Sequence, residues 1–212
     1  MPIRTAEREY RSLQDFSLVP AEEGNPQRIV RGTAAVFNTP TCLYEYDGVK
    51  YFEIIDRGAF DDCDMTDVIF NYNHAGKVVA RLRNQTLTLN LTSTGLGMEA
   101  DLAGTTAGRE LYEEIDGGYI DKMSFSFAVR ASEYDSATRT RTITKIRKLY
   151  DVSAVSFPAY DETSISARDF FAEEYAKEFS ALEQAARQRK LLIARMRTYP
   201  TIKTTEEEHN HV

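Results

Sequence analysis

Met123-Ser124-Phe125-Ser126-Phe127 is an apolar, alternating stretch with hydroxyls at its small positions. Downstream, Leu149-Tyr150-Asp151-Val152-Ser153-Ala154-Val155-Ser156-Phe157 sets one acid among hydrophobic neighbours. Both read as strands. A serine becomes a nucleophile only where a base takes its proton and a third group holds that base in the right tautomer. His74, closing Phe70-Asn71-Tyr72-Asn73-His74, is the one imidazole in the body of the chain, since His209 and His211 lie in the tail. His74, Ser124 and Asp151 are therefore the candidates for general base, nucleophile and orienting acid. The spacing between them carries no information, because a triad is defined in space. The competing reading is a core serine, a surface histidine and a strand-end acid facing water. An unpaired charge within an apolar run is costly, which favours a partner for Asp151. For Ser126 the preferred reading is a small residue making room for a neighbour.

The elements that must carry these residues follow from period and punctuation. Residues 1–27 are polar and broken by Pro20, Gly24 and Pro26, which predicts a flexible N-terminal arm. Strands are expected over 28–37 and 50–55. A third, over 68–73, leads into His74, with Ala75-Gly76-Lys77 as the turn and 78–82 as the return. Residues 86–92 alternate cleanly and pair with 95–102 as a hairpin, one face of which is buried. Leu111, Tyr112 and Ile115 fall at helical spacing before Gly117-Gly118 stops the segment. The Ser124 strand follows, then an arginine-dense exposed strand over 138–147, then the Asp151 strand. From Ser166 onward apolar residues recur at steps of three and four, with acids early and bases late. This predicts a long amphipathic helix over 166–199, and a disordered tail over 200–212.

Composition narrows the function classes. With 26 basic and 33 acidic residues the formal charge is −7, which argues against nucleic acid as a direct partner. Cys42 and Cys63 have neither CxxC spacing nor companion histidines, so no disulfide framework or zinc site is expected. No phosphate loop or dinucleotide fingerprint occurs, and no cofactor or metal is expected. His209 and His211 on an acidic tail are read as solvated. No window approaches the roughly 20 apolar residues of a membrane span, and the charged N-terminus lacks a signal-peptide core; a soluble, unexported protein without membrane contact is expected.

The same residues, in their order, resemble a known family, the prohead proteases of tailed bacteriophages, grouped with the herpesvirus assemblin-like serine proteases. The resemblance runs over residues 28–165. It rests on Gly32-Thr33-Ala34-Ala35-Val36-Phe37-Asn38, Asp56-Arg57-Gly58-Ala59-Phe60, Asn73-His74 with Val78-Val79-Ala80-Arg81, Gly95-Leu96, the Ser124 strand, and Leu149-Tyr150-Asp151-Val152-Ser153 ending in Phe157-Pro158-Ala159. It places the histidine on His74, the nucleophile on Ser124 and the acid on Asp151; Ser126 stands where the family usually has glycine. The resemblance implies a mainly β fold with peripheral helices, its core a closed barrel of about seven strands forming a protease domain over 28–165. It implies a serine endopeptidase inside the immature capsid, in the host cytoplasm, that cuts scaffold and capsid protein segments and itself. Scaffold and major capsid protein are then the partners, and the acidic surface suits a monomer or a homodimer. The helix over 166–199 would be scaffold-like or packed on the barrel. The oxyanion donors would be backbone N–H groups, with residues 157–160 one source. Two alternatives stand beside this reading: a non-catalytic capsid-interior scaffold or assembly chaperone on the same fold, and a β-barrel ligand-binding module.

Overall fold

A computed structural model describes residues 8–13, 16–18, 27–156 and 165–198. Strands β1 (Arg8–Leu13) and β2 (Phe16–Leu18) precede β3 (Ile29–Val36), β4 (Thr41–Tyr46) and β5 (Val49–Ile55). A 3₁₀ turn, Arg57–Phe60, leads to the hairpin of β6 (Ile69–Tyr72) and β7 (Ala75–Arg81). After a second 3₁₀ turn come β8 (Leu87–Leu91), β9 (Gly95–Asp101) and helix α1 (Thr106–Asp116). The long strands β10 (Lys122–Asp135) and β11 (Thr140–Val155) and the helix α2 (Ile165–Thr198) complete the order.

The axis of the molecule is β11. It pairs antiparallel with β10 along its length, and on its other edge it takes two parallel partners, β5 against Thr140–Ile143 and β6 against Asp151–Ala154. With β1 outside β10, β4 outside β5 and β7 outside β6, this makes a seven-stranded sheet. A second sheet, antiparallel throughout, runs β2-β3-β9-β8. One apolar core joins Val30, Leu96 and Met98 of the second sheet with Phe70, Phe125, Phe127 and Val152 of the first. Burying side chains such as these stabilises by about 1.5–3 kcal/mol each relative to leaving them in water. Successive residues from Met123 to Ala128 and from Asp151 to Val155 are all buried, so both faces of the sheet are covered at that end. One face meets the apolar core. The other carries the polar residues described below.

α1 starts where Thr105 Oγ1 accepts from Gly108 N at 2.9 Å, and its apolar stripe, Leu111 and Ile115, is buried. Gly118, at φ 73°, turns the chain out of it. The chain divides into two compact units, Met1–Phe171 and Ala172–Val212. The first two turns of α2 belong to the former, where Phe171 stacks on Tyr44 and packs at a tilt against Tyr51. In the latter, the helix leaves Phe179, Leu182, Leu191 and Met196 exposed. No helix among the described residues is long and apolar enough to cross a membrane.

The mainly β architecture with two helices matches the expectation, and several particulars differ from it. The described ladders form two sheets, not one closed barrel of about seven strands. Residues 138–147 and the Asp151 stretch are one continuous strand. β4 has no counterpart in the sequence reading. Arg8–Leu13, assigned there to a flexible arm, lie along β10 with Arg8 opposite Ala128 and Leu13 opposite Met123. Charged residues looked solvated because their partners come from distant strands. The hairpin turn after β6 is Asn73-His74, not 75–77: Tyr72 pairs with Ala75, and Asn73 and His74 both have positive φ, 49° and 57°. Two successive left-handed residues make the type I′ turn that matches the twist of a tight hairpin. The tail over 200–212 lies outside the described residues.

Candidate active site

Strand alternation places the chemistry. On β10, Ser124 and Ser126 are two apart and share a face; on β11, so do Asp151 and Ser153. Register then makes rows across the sheet, with Ser124 opposite Ser153 and Ser126 opposite Asp151. β6 adds Asn71 beside Ser153. The Asn73-His74 turn carries the imidazole over this polar face. Its shape is held from both sides, since Asn73 N donates to Ala154 O at 2.9 Å and Asn73 Oδ1 accepts from Ser156 N at 3.1 Å. A β-carbon-bearing residue such as histidine is disfavoured at a left-handed position, a cost that the surrounding structure offsets here.

The three sequence candidates meet. His74 Nε2 lies 2.7 Å from Ser124 Oγ, and His74 Nδ1 lies 2.6 Å from Asp151 Oδ1. Asp151 is fully buried and Ser124 nearly so, while the His74 side chain keeps 15% of its surface. An ionised carboxylate at Nδ1 calls for the proton there, which leaves the Nε2 lone pair facing the serine. A cleft of about 450 Å³ opens beside the turn, walled by Asn73, Ala75 and Gly76 on one side and by Glu110, Leu111 and Glu114 of α1 on the other. Chemically, this row can move a proton from a hydroxyl to an imidazole.

Comparison with known proteins bears on what such a row is for. The family model described as caudovirus prohead serine protease matches residues 16–178. The chain belongs to that family. Among solved structures, the bacteriophage T4 capsid assembly protease gp21 is similar at 11% identity and a TM-score of 0.36, over 63% of this chain and 100% of that one. No residue role is taken from so slight a likeness. No curated protein matches.

In this member of the family the acid is more fully bound than contact with the imidazole alone requires. Besides His74, Oδ1 accepts from Ser153 Oγ at 2.8 Å, and Oδ2 accepts from Ser126 Oγ at 2.5 Å and from Arg8 Nη2. Ser153 Oγ also lies 2.5 Å from Asn71 Oδ1, so its hydroxyl proton is shared between that oxygen and Asp151. Burial pushes the Asp151 carboxyl up, but the hydrogen bond and charge of His74, with the Ser126 and Ser153 hydroxyls, outweigh it and hold the group below the usual carboxylate range. Ser126 is thus a ligand of the acid and not the space-making residue of the sequence reading. Arg8, Asn71 and Ser153 were not singled out at all. The spacing of two between Ser124 and Ser126, and between Asp151 and Ser153, was the available signal. Residues 157–160, the expected oxyanion donors, lie outside the described residues.

Proposed function

We propose that the protein is a serine endopeptidase of prohead maturation working through an acyl-enzyme. Ser124 Oγ attacks the scissile carbonyl while His74 Nε2 accepts its proton. The imidazolium is held by Asp151 and returns that proton to the leaving amine, so the peptide C–N bond breaks and an ester to Ser124 forms. Water, deprotonated by the same imidazole, then hydrolyses the ester and restores Ser124. The observation that carries this reading is the unbroken relay of Ser124 Oγ, His74 and Asp151 at 2.7 and 2.6 Å, on the strands of a chain in the prohead serine protease family.

The substrates by this reading are segments of the scaffold and major capsid protein and the chain itself, cut inside the immature capsid. The catalytic domain is residues 28–165 with β1 added to its sheet. Intact mass of the purified full chain over time, wild type beside Ser124→Ala, tests it. Wild type is expected to shorten at discrete positions while Ser124→Ala stays whole; equal shortening of both rules out Ser124 as nucleophile.

A further inference from the structure

The first strand of the chain reaches the site from outside the triad. β1 alternates, so Arg8 and Tyr10 fall on one face and Glu9 and Arg11 on the other. The Glu9 face locks the strand down. Arg11 donates to both oxygens of Glu53, at 2.5 and 2.7 Å, and to Glu9 at 2.6 Å; Arg141 donates to Glu9 at 3.0 and 3.1 Å and to Glu53 at 3.3 Å. Two acids and two bases meet there, all buried, and the cluster is neutral as a whole. A neutral, mutually bonded set of charges tolerates burial, and removing one member leaves the others exposed to the desolvation cost.

The opposite face turns to the catalytic row. Arg8 Nε and Nη2 donate to Ser126 Oγ at 2.9 and 2.7 Å, and Nη2 also reaches Asp151 Oδ2. The guanidinium lies over the Tyr150 ring at 4.9 Å and 5.5 Å from the Tyr10 ring, which itself meets the His74 ring edge-on at 4.6 Å. A planar group held by two rings and two acceptors has little freedom. With both Ser126 lone pairs taken by Arg8, the Ser126 proton goes to Asp151 Oδ2. That fixes the carboxylate plane and leaves Oδ1 to the imidazole and Ser153.

We propose that Arg8 is a positioning residue of this reaction: docked β1 uses it to orient Asp151 through Ser126. The proposal rests on the triad reading above. Among the described residues, the charged and titratable groups touching this cluster are Arg8 and Tyr10 from β1, Asp151 and Tyr150 from β11, and His74; Lys148 lies beyond Tyr150, 5.8 Å from its ring. β10 presents the neutral hydroxyls Ser124 and Ser126.

The test is the rate at which a fluorophosphonate labels the full chain, followed by intact mass from pH 5 to 9, for wild type, Arg8→Gln, Arg8→Lys and Ser124→Ala, with the thermal unfolding midpoint of each. Arg8→Gln removes the charged fork that holds Ser126 and Asp151, and its labelling is expected to slow by about tenfold. Arg8→Lys keeps a charged donor and loses the fork, so it recovers only part of the wild-type rate. A folded Arg8→Gln chain that labels at the wild-type rate overturns the proposal. If Arg8→Gln does not fold, Arg8→Lys decides: slower labelling at an unchanged unfolding midpoint supports the role, and wild-type rates refute it. Labelling that persists in Ser124→Ala defeats the triad reading instead, so the two failures are distinct.

Discussion

Replacing Asp151 with asparagine keeps the shape of the side chain and removes its charge, and the surrounding donors dictate how the new amide sits. Oδ2 now accepts from Arg8 and from Ser126, so an NH₂ group there would face a guanidinium. The amide carbonyl must take that place, which turns the NH₂ toward His74 Nδ1 and Ser153. Nδ1 then has to accept, the ring proton moves to Nε2, and Nε2–H meets Ser124 Oγ at the 2.7 Å where a lone pair is needed. The base is present in the wrong tautomer. Triads carrying this change lose about 10⁴ in kcat, or roughly 5 kcal/mol of barrier, and that is the loss expected here. The cost in stability is smaller, about 1–3 kcal/mol, because Arg8, whose side chain is 37% exposed, regains water when its partner goes. The assay is the rate of self-shortening by intact mass, alongside thermal unfolding to verify the fold. A folded Asp151→Asn chain that shortens within tenfold of the wild-type rate would refute the assignment of Asp151 and the tautomer argument with it.

Ser126→Ala separates the two serines of β10: fluorophosphonate labelling is expected to remain on Ser124 and to slow by about tenfold, since one hydrogen bond to a charged acid is lost. Complete loss of labelling in Ser126→Ala, with labelling retained in Ser124→Ala, would reverse their roles. The pH dependence of stability follows from Glu9 and Asp151. Burial raises the Glu9 carboxyl, but Arg11 and Arg141 outweigh it and hold it below its ordinary value, as His74 does for Asp151. A depressed carboxylate contributes stability above its unfolded value and loses it as pH falls through the folded one. The thermal midpoint is therefore expected to change little above about pH 5 and to drop steeply below about pH 4. A midpoint that holds or rises on acidification would show that these acids are not stabilised by their cationic partners.

What could be read before folding was what is written in local period. Alternation marks β10 and β11 as strands, and a lone acid in an apolar run at Asp151 announces a partner, because an unsatisfied charge there would not be tolerated. The single body histidine leaves His74 as the imidazole to test against Ser124. Helical spacing marks α1 and α2. The same alternation already puts Ser126 with Ser124 and Ser153 with Asp151, but that signal says which side chains share a face and not whether the face is lined with water or with a base.

The remainder depends on register between distant strands, which no local pattern carries. Whether Arg8 and Arg11 belong to a solvated arm or to a strand is decided by Glu53, Asp151 and Arg141, far along the chain, because a charge is stable inside only where its counter-charges arrive together. The turn at Asn73-His74 in place of 75–77 is set by the pairing of β6 with β11 and by the twist a tight hairpin must follow, which places left-handed backbone at two residue types that tolerate it but announce it less plainly than the glycine at 76. Residue types and alternation thus determined which groups could react. Only the packing of β1, β6, β10 and β11 into one sheet decided that an imidazole, a hydroxyl and a carboxylate stand within a proton's reach of each other, since that proximity is a sum over long-range contacts that chain neighbours do not encode.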